Sequence, residues 1–189
     1  MKNIVLGTVI CFGASVVNPA FADTPSPSAQ DVAVLTVVLA HFSKSKHSAQ
    51  YNSQGYVGVA PTTNTLVATL TDNDYLKSQP TLSPAPPQSA VANYVRRNRQ
   101  SYRLGEFPLL GGAVRLDRTE PDLGMLPLDP KGALRTYVHL RVPGYSPDAQ
   151  WAYVSFTYLW SIHGAFATYL LRREDGGWVV VATDFAYAV

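Results

Sequence analysis

The sequence predicts an α+β fold, with two early helices packed on an antiparallel sheet built mainly from the C-terminal half. Three observations carry this. Apolar residues recur at helical intervals in two stretches before Gly105. From Ala113 onward the apolar period changes to two, the spacing of a half-buried strand. Near the end, an Asp-Gly-Gly turn (Asp175 to Gly177) separates two alternating runs, a strong hairpin signal.

The first 22 residues follow another plan. Lys2 gives a positive start, Ile4 to Val17 an apolar run, and Ala20-Phe21-Ala22 a small-x-small cleavage signal. The run is shorter than a membrane span and is followed by Asn18 and Pro19. Residues 1–22 therefore read as a signal peptide, 23–30 as a flexible Pro/Ser leader, and 31–189 as a single α+β domain. The expected location is periplasmic or secreted, after cleavage near Ala22, with no integral membrane segment in the mature chain. The one cysteine, Cys11, leaves with the signal, which removes disulfides, a thiol nucleophile and thiolate metal sites.

The first helix is expected in "SAQDVAVLTVVLAHFSKSKH", where Ser28 and Asp31 have capping-box spacing. Val32, Leu35, Leu39 and Phe42 share one of its faces. The run of valines leaves a strand as an alternative, and the cap decides for helix. "GYVGVAPTTNTLVATLTDND" reads as two short strands around a loop, and the proline-rich "KSQPTLSPAPPQS" as a further loop. Ser89 can cap a second helix, "AVANYVRRNRQSYRL", ending before Gly105. On it Arg96, Arg99 and Arg103 would form one basic stripe.

"AVRLDR" is a possible short strand. "LRTYVHLRV" alternates Leu134, Thr136, Val138, Leu140 and Val142 against Arg135, Tyr137, His139 and Arg141, predicting one apolar and one wet face. After the turn "PGYSPD" come three strands, "QWAYVSFTYLW", "AFATYLLRR" and "WVVVATDFAYA". Alternation in the last places Asp184 with Trp178, Val180 and Ala182, and Val179, Val181, Thr183, Phe185 and Tyr187 opposite.

The late pattern, Arg141-x-x-Gly144-Tyr145, Ala152-x-Val154, Gly164, Tyr169-x-Leu171 and Gly177-Trp178-x-Val180, resembles a family of exported bacterial proteins of uncharacterised activity. "NRQSYRLGEF" is similar to that family's Asn-rich helix end. The final hairpin also looks like the closing strands of the cystatin-like cone fold of nuclear-transport-factor-2-like proteins. These resemblances imply architecture and bring no catalytic residues.

With 15 basic and 13 acidic residues, the chain lacks the footprint of a nucleic-acid binder. His41 and His47 stand six apart, His139 lies between Arg135 and Arg141, and His163 sits in a link, so no metal or cofactor is expected. Asp72-Asn73-Asp74 begins like a calcium loop, but the later glycine and glutamate are missing. There is no G-x-S-x-G elbow. The candidate ligand-binding residues are Arg96, Arg99 and Arg103, against the plainer possibility of a solvated helix face. The candidate catalytic residue is Asp184, which in an apolar pocket would become a general base; on a wet face or paired with Arg96 it would not. The expectation is an exported, non-enzymatic binding or interaction module whose partner is an unknown protein or small ligand in the cell envelope. The alternative is a small hydrolase or isomerase of cone-like fold using Asp184.

Overall fold

A computed structural model describes residues 24–49, 55–66, 82–117, 136–159 and 164–187. The expected signal peptide, the Asp72–Asp74 turn and His163 lie outside the described residues.

Helix α1 spans Ala29–Ser43. Its capping box is complete: Ser28 Oγ accepts the Asp31 N–H at 3.2 Å, and Asp31 Oδ2 accepts the Ser28 N–H at 2.8 Å. The buried face is Val34, Leu35, Val38, Leu39 and Phe42, while Val32, expected on it, is exposed. Ahead of the helix, the Pro25 carbonyl accepts the Arg103 N–H at 2.9 Å, so the described part of the leader lies against the body. A single turn, α2 (Lys46–Ala49), follows.

Helix α3 covers Gln88–Arg97 and differs from expectation at both ends. Pro87, not Ser89, occupies the N-cap, where fixed φ rather than a side-chain bond starts the helix. The helix ends at Asn98, not before Gly105. The Asn98 side chain donates to the carbonyls of Tyr94 and Val142 and accepts the Val142 N–H, which competes with continuing the helix. Arg99 and Arg103 therefore lie beyond the helix, and the basic stripe is broken.

The strands are β1 (Val57–Val59), β2 (Val114–Leu116), β3 (Thr136–His139), β4 (Gly144–Tyr145), β5 (Trp151–Leu159), β6 (Gly164–Glu174) and β7 (Gly177–Tyr187). They form one seven-stranded sheet ordered β2-β1-β3-β5-β6-β7, with β4 against β5. The sheet is mixed rather than antiparallel, because β1 runs parallel to both β2 and β3. Long excursions separate these three strands, which is what parallel pairing needs and what hairpin patterning does not reveal. Between two neighbours, β3 is buried throughout, so the wet face expected for Tyr137 and His139 is covered instead.

Two apolar clusters flank the sheet. On one face, the buried residues of α1 meet Val154, Phe156, Tyr158, Tyr169 and Leu171, with the Phe42 and Phe156 rings edge to face at 5.3 Å. On the other, Ala90, Val91, Tyr94 and Val95 of α3 meet Tyr153 and Leu170. The Tyr94 hydroxyl there donates to the Ser155 carbonyl at 2.7 Å.

The β6–β7 hairpin closes through Asp175 and Gly176, both at positive φ (43° and 81°), as a type I′ turn requires. Pairing then slips: Leu171 faces Val180 but Leu170 faces Ala182, leaving Val181 as a bulge residue. The bulge inverts the alternation. Trp178 and Val180 pack on the α1 face, whereas Ala182 and Asp184 take the α3 face. The expected grouping of Asp184 with Trp178 and Val180 is thereby corrected.

Candidate functional site

Ser89, Ala92, Asn93 and Arg96 follow one another at i, i+3, i+4 and i+7, which puts them on one face of α3. This face forms a wall of an open cleft of about 800 Å³, completed by Arg97 and Arg99, by Ser28 and Gln30 at the start of α1, and by Tyr145, Ser146 and Pro147. The cleft joins segments far apart in sequence, and a buried ion pair holds them together.

Asp31 is fully buried. The Arg97 guanidinium meets it with two parallel bonds, Nη1 to Oδ1 and Nη2 to Oδ2, both 2.8 Å. Arg97 Nη1 also donates to the Pro143 carbonyl at 2.6 Å, and the Tyr145 hydroxyl donates to Asp31 Oδ1 at 2.9 Å. The guanidinium carbon lies 5.9 Å from the Tyr102 ring centre and 5.6 Å from that of Tyr145. Burial alone would raise the pKa of Asp31, but the bonds from Arg97 and Ser28 outweigh it and hold the carboxyl below its ordinary range. Burial likewise opposes the charge on Arg97, and the Asp31 carboxylate reverses that, raising its proton affinity. The Tyr145 phenol is pushed up by burial and then by the neighbouring carboxylate. At neutral pH the centre is a paired carboxylate and guanidinium with a neutral phenol, so Arg97 serves as framework.

Two more features fix the cleft wall. Asn93 Oδ1 accepts the Tyr145 N–H at 3.0 Å, which leaves its Nδ2 as a donor. A Cβ on Gly144 would overlap the Ala90 carbonyl oxygen and the Tyr94 nitrogen, so β4 lies directly on the α3 backbone.

Arg96 and Arg99 are exposed cations in the cleft, Ser28 and Ser89 add exposed hydroxyls, and the half-buried Asn93 adds its Nδ2 donor. No carboxylate lines it, and among the described residues neither Arg96 nor Arg99 forms an ion pair. A second cleft of about 400 Å³ lies between α1 and the β6–β7 hairpin, lined by Gln30, Ala33, Thr36, Val37, Arg173, Gly176, Gly177 and Trp178.

Of the residues singled out in sequence, Arg96 and Arg99 come together in the first cleft and Arg103 does not. Arg103 forms a bridge with Thr62 and lines a separate cleft of about 570 Å³ that includes Glu106. Asp184 sits opposite the buried Thr168, lines none of these three clefts, and among the described residues makes no ion pair with Arg96. His47 stacks on Phe185 at 4.1 Å, and His41 meets the edge of Tyr169 at 5.6 Å. Among the described residues no three His, Cys, Asp or Glu side chains group to hold a metal ion, and no helix is long and apolar enough to cross a membrane.

In the sequence Asp31 stands out only as a capping residue, and nothing marks Arg97 as its partner. Their pairing spans 66 positions and leaves no local mark. Comparisons with protein-family models, curated proteins and solved structures find no match for the chain.

Proposed function

We propose that this chain is a non-enzymatic binding module of the cell envelope that holds an anionic group in the cleft beside α3. The observation that carries this is the polarity of the lining: Arg96, Arg99, Asn93 and Ser89 converge with no carboxylate among them. A cleft with two cations and no carboxylate favours an oxyanion over a neutral ligand, because its charged donors bond most strongly to a charged acceptor. The buried Asp31–Arg97 pair favours binding by fixing the wall before a ligand arrives, so less ordering accompanies association. The alternative, a pocket enzyme with Asp184 as general base, needs a cleft at Asp184, and no specific observation favours it.

Glutarate, a small dicarboxylate, is expected to bind the chain in a salt-sensitive way, because exposed arginines act through screened charge. Arg96→Ala combined with Arg99→Ala should weaken it at least about tenfold, since bonds to a charged acceptor are worth about 1.5–3 kcal/mol each. Titration calorimetry at low and physiological salt measures this. Glutarate and phosphate both failing to bind, or binding unaltered in the double variant, would overturn the assignment.

A further inference from the structure

We infer that the natural ligand is an acidic peptide segment that crosses both clefts, with an apolar side chain over Trp178 between carboxylates near Arg96/Arg99 and Arg173. This deepens the anion-binding reading and rests on it. The two clefts share Gln30, and the Tyr145 ring of the first lies 5.9 Å from the Trp178 ring beside the second, so one surface runs through both. Arg173 is the cross-strand partner of Trp178 and is exposed, which puts a cation at the far end of that surface. Between the two basic ends the walls turn apolar at Ala33, Val37 and Trp178, while Gly176 and Gly177 add no side chain. A charged, apolar, charged sequence of contacts suits a chain carrying acidic and apolar residues in alternation.

Gln30 points to the polymer type. Gln30 is half-buried where the clefts meet, its Nε2 is turned from solvent with no hydrogen-bond partner among the described residues, and a rotation of the side chain would bring that donor to a ligand carbonyl. A polypeptide offers such a carbonyl at every residue. An acidic glycan would also present charge and could stack on Trp178. Its carboxylates, however, do not alternate with apolar side chains that could fill the wall at Ala33 and Val37.

The test uses the full chain and a fluorescein-labelled peptide of alternating Glu and Leu. Control probes carry Gln for Glu or Ser for Leu, and an oligogalacturonate matches the charge. Anisotropy should show the Glu/Leu peptide binding at least about tenfold tighter than either control peptide or the oligogalacturonate, as the loss of a charged or apolar anchor implies. Ala33→Glu, at an exposed helix position that lines only the second cleft, should weaken the peptide about tenfold through like-charge repulsion and leave glutarate binding unchanged. Arg173→Ala should weaken the peptide about fivefold and likewise spare glutarate. If glutarate binds through Arg96 and Arg99 but the peptide ignores Ala33→Glu and Arg173→Ala, the extended peptide site is wrong and the anion site survives. Tighter binding of the oligogalacturonate overturns the peptide assignment in the same way. If no probe binds, both readings fall.

Discussion

Replacing Arg97 by Met is expected to lower the stability of the fold by about 3–5 kcal/mol at neutral pH, the usual cost of stranding one member of a buried ion pair. Asp31 is fully buried and depends on Arg97 for two of its hydrogen bonds, so the variant must either desolvate a lone carboxylate or protonate it. The same change removes the bond to the Pro143 carbonyl and the cation between the Tyr102 and Tyr145 rings. Asp31→Leu together with Arg97→Met should recover much of the loss. The remainder is about 1 kcal/mol for the missing cap on α1, because Asp31 also completes the Ser28 capping box. The acid limb gives an independent reading. The Asp31 carboxyl titrates below its unfolded value of 3.8, so its contribution is present above that pH and is lost as pH falls through the lower, folded value. Arg97 shifts the other way, and its contribution is lost only in strong alkali. Urea denaturation at pH 7 and pH 3 should therefore show the wild type losing stability on acidification and Arg97→Met losing less. A single variant within 1 kcal/mol of wild type at pH 7, or one that keeps the full acid slope, would show that the pair is not the keystone proposed.

Local patterning was legible where the chain interacts with its own neighbourhood in sequence. The Ser28–Asp31 box, the period-two runs of β5 and β6 and the Asp175–Gly176 turn act over a few residues, and each appears where the spacing puts it. What failed depends on contacts between distant segments. Strand direction at β1 is set by partners at Val114 and Thr136, tens of residues away, so alternation could not report it. The end of α3 is decided by Asn98 finding the backbone of Val142. The placement of Asp184 turns on one bulge residue, Val181, since a single extra position moves every later side chain to the other face. The candidate site shows the same division. Arg96 and Arg99 stand out in the sequence as part of a basic stripe on a helix, but the cleft that gives them meaning is completed by Gln30 and Tyr145. Its keystone joins Asp31, legible only as a cap, to Arg97, which no local pattern marks as a partner.

Gly144→Ala should be among the most damaging single substitutions available, destabilising by about 3 kcal/mol or more, at the upper end for overpacking. An added Cβ at this position would overlap the Ala90 carbonyl oxygen, the Tyr94 nitrogen and the Tyr94 Cβ. Two of these are backbone atoms inside α3 and cannot turn aside as a flexible side chain would, so helix and strand must separate. Separation pulls on the bonds that cross the same seam: the Tyr145 N–H to Asn93, the Val142 N–H to Asn98 and Arg97 to the Pro143 carbonyl. These bonds also shape the cleft, so binding should weaken along with stability, although residue 144 does not line it. Gly105 supplies the control. A Cβ there meets nothing within 4 Å, so Gly105→Ala should stay within about 0.5 kcal/mol of wild type. Chemical denaturation of the two variants side by side measures the difference. Equal stability would mean that β4 does not lie on α3 as closely as described, and the rigid wall ascribed to the cleft would fall with it. A destabilised Gly144→Ala that retains wild-type glutarate affinity would separate the two roles, leaving the seam as a stability element and moving the anion site away from the β4 wall.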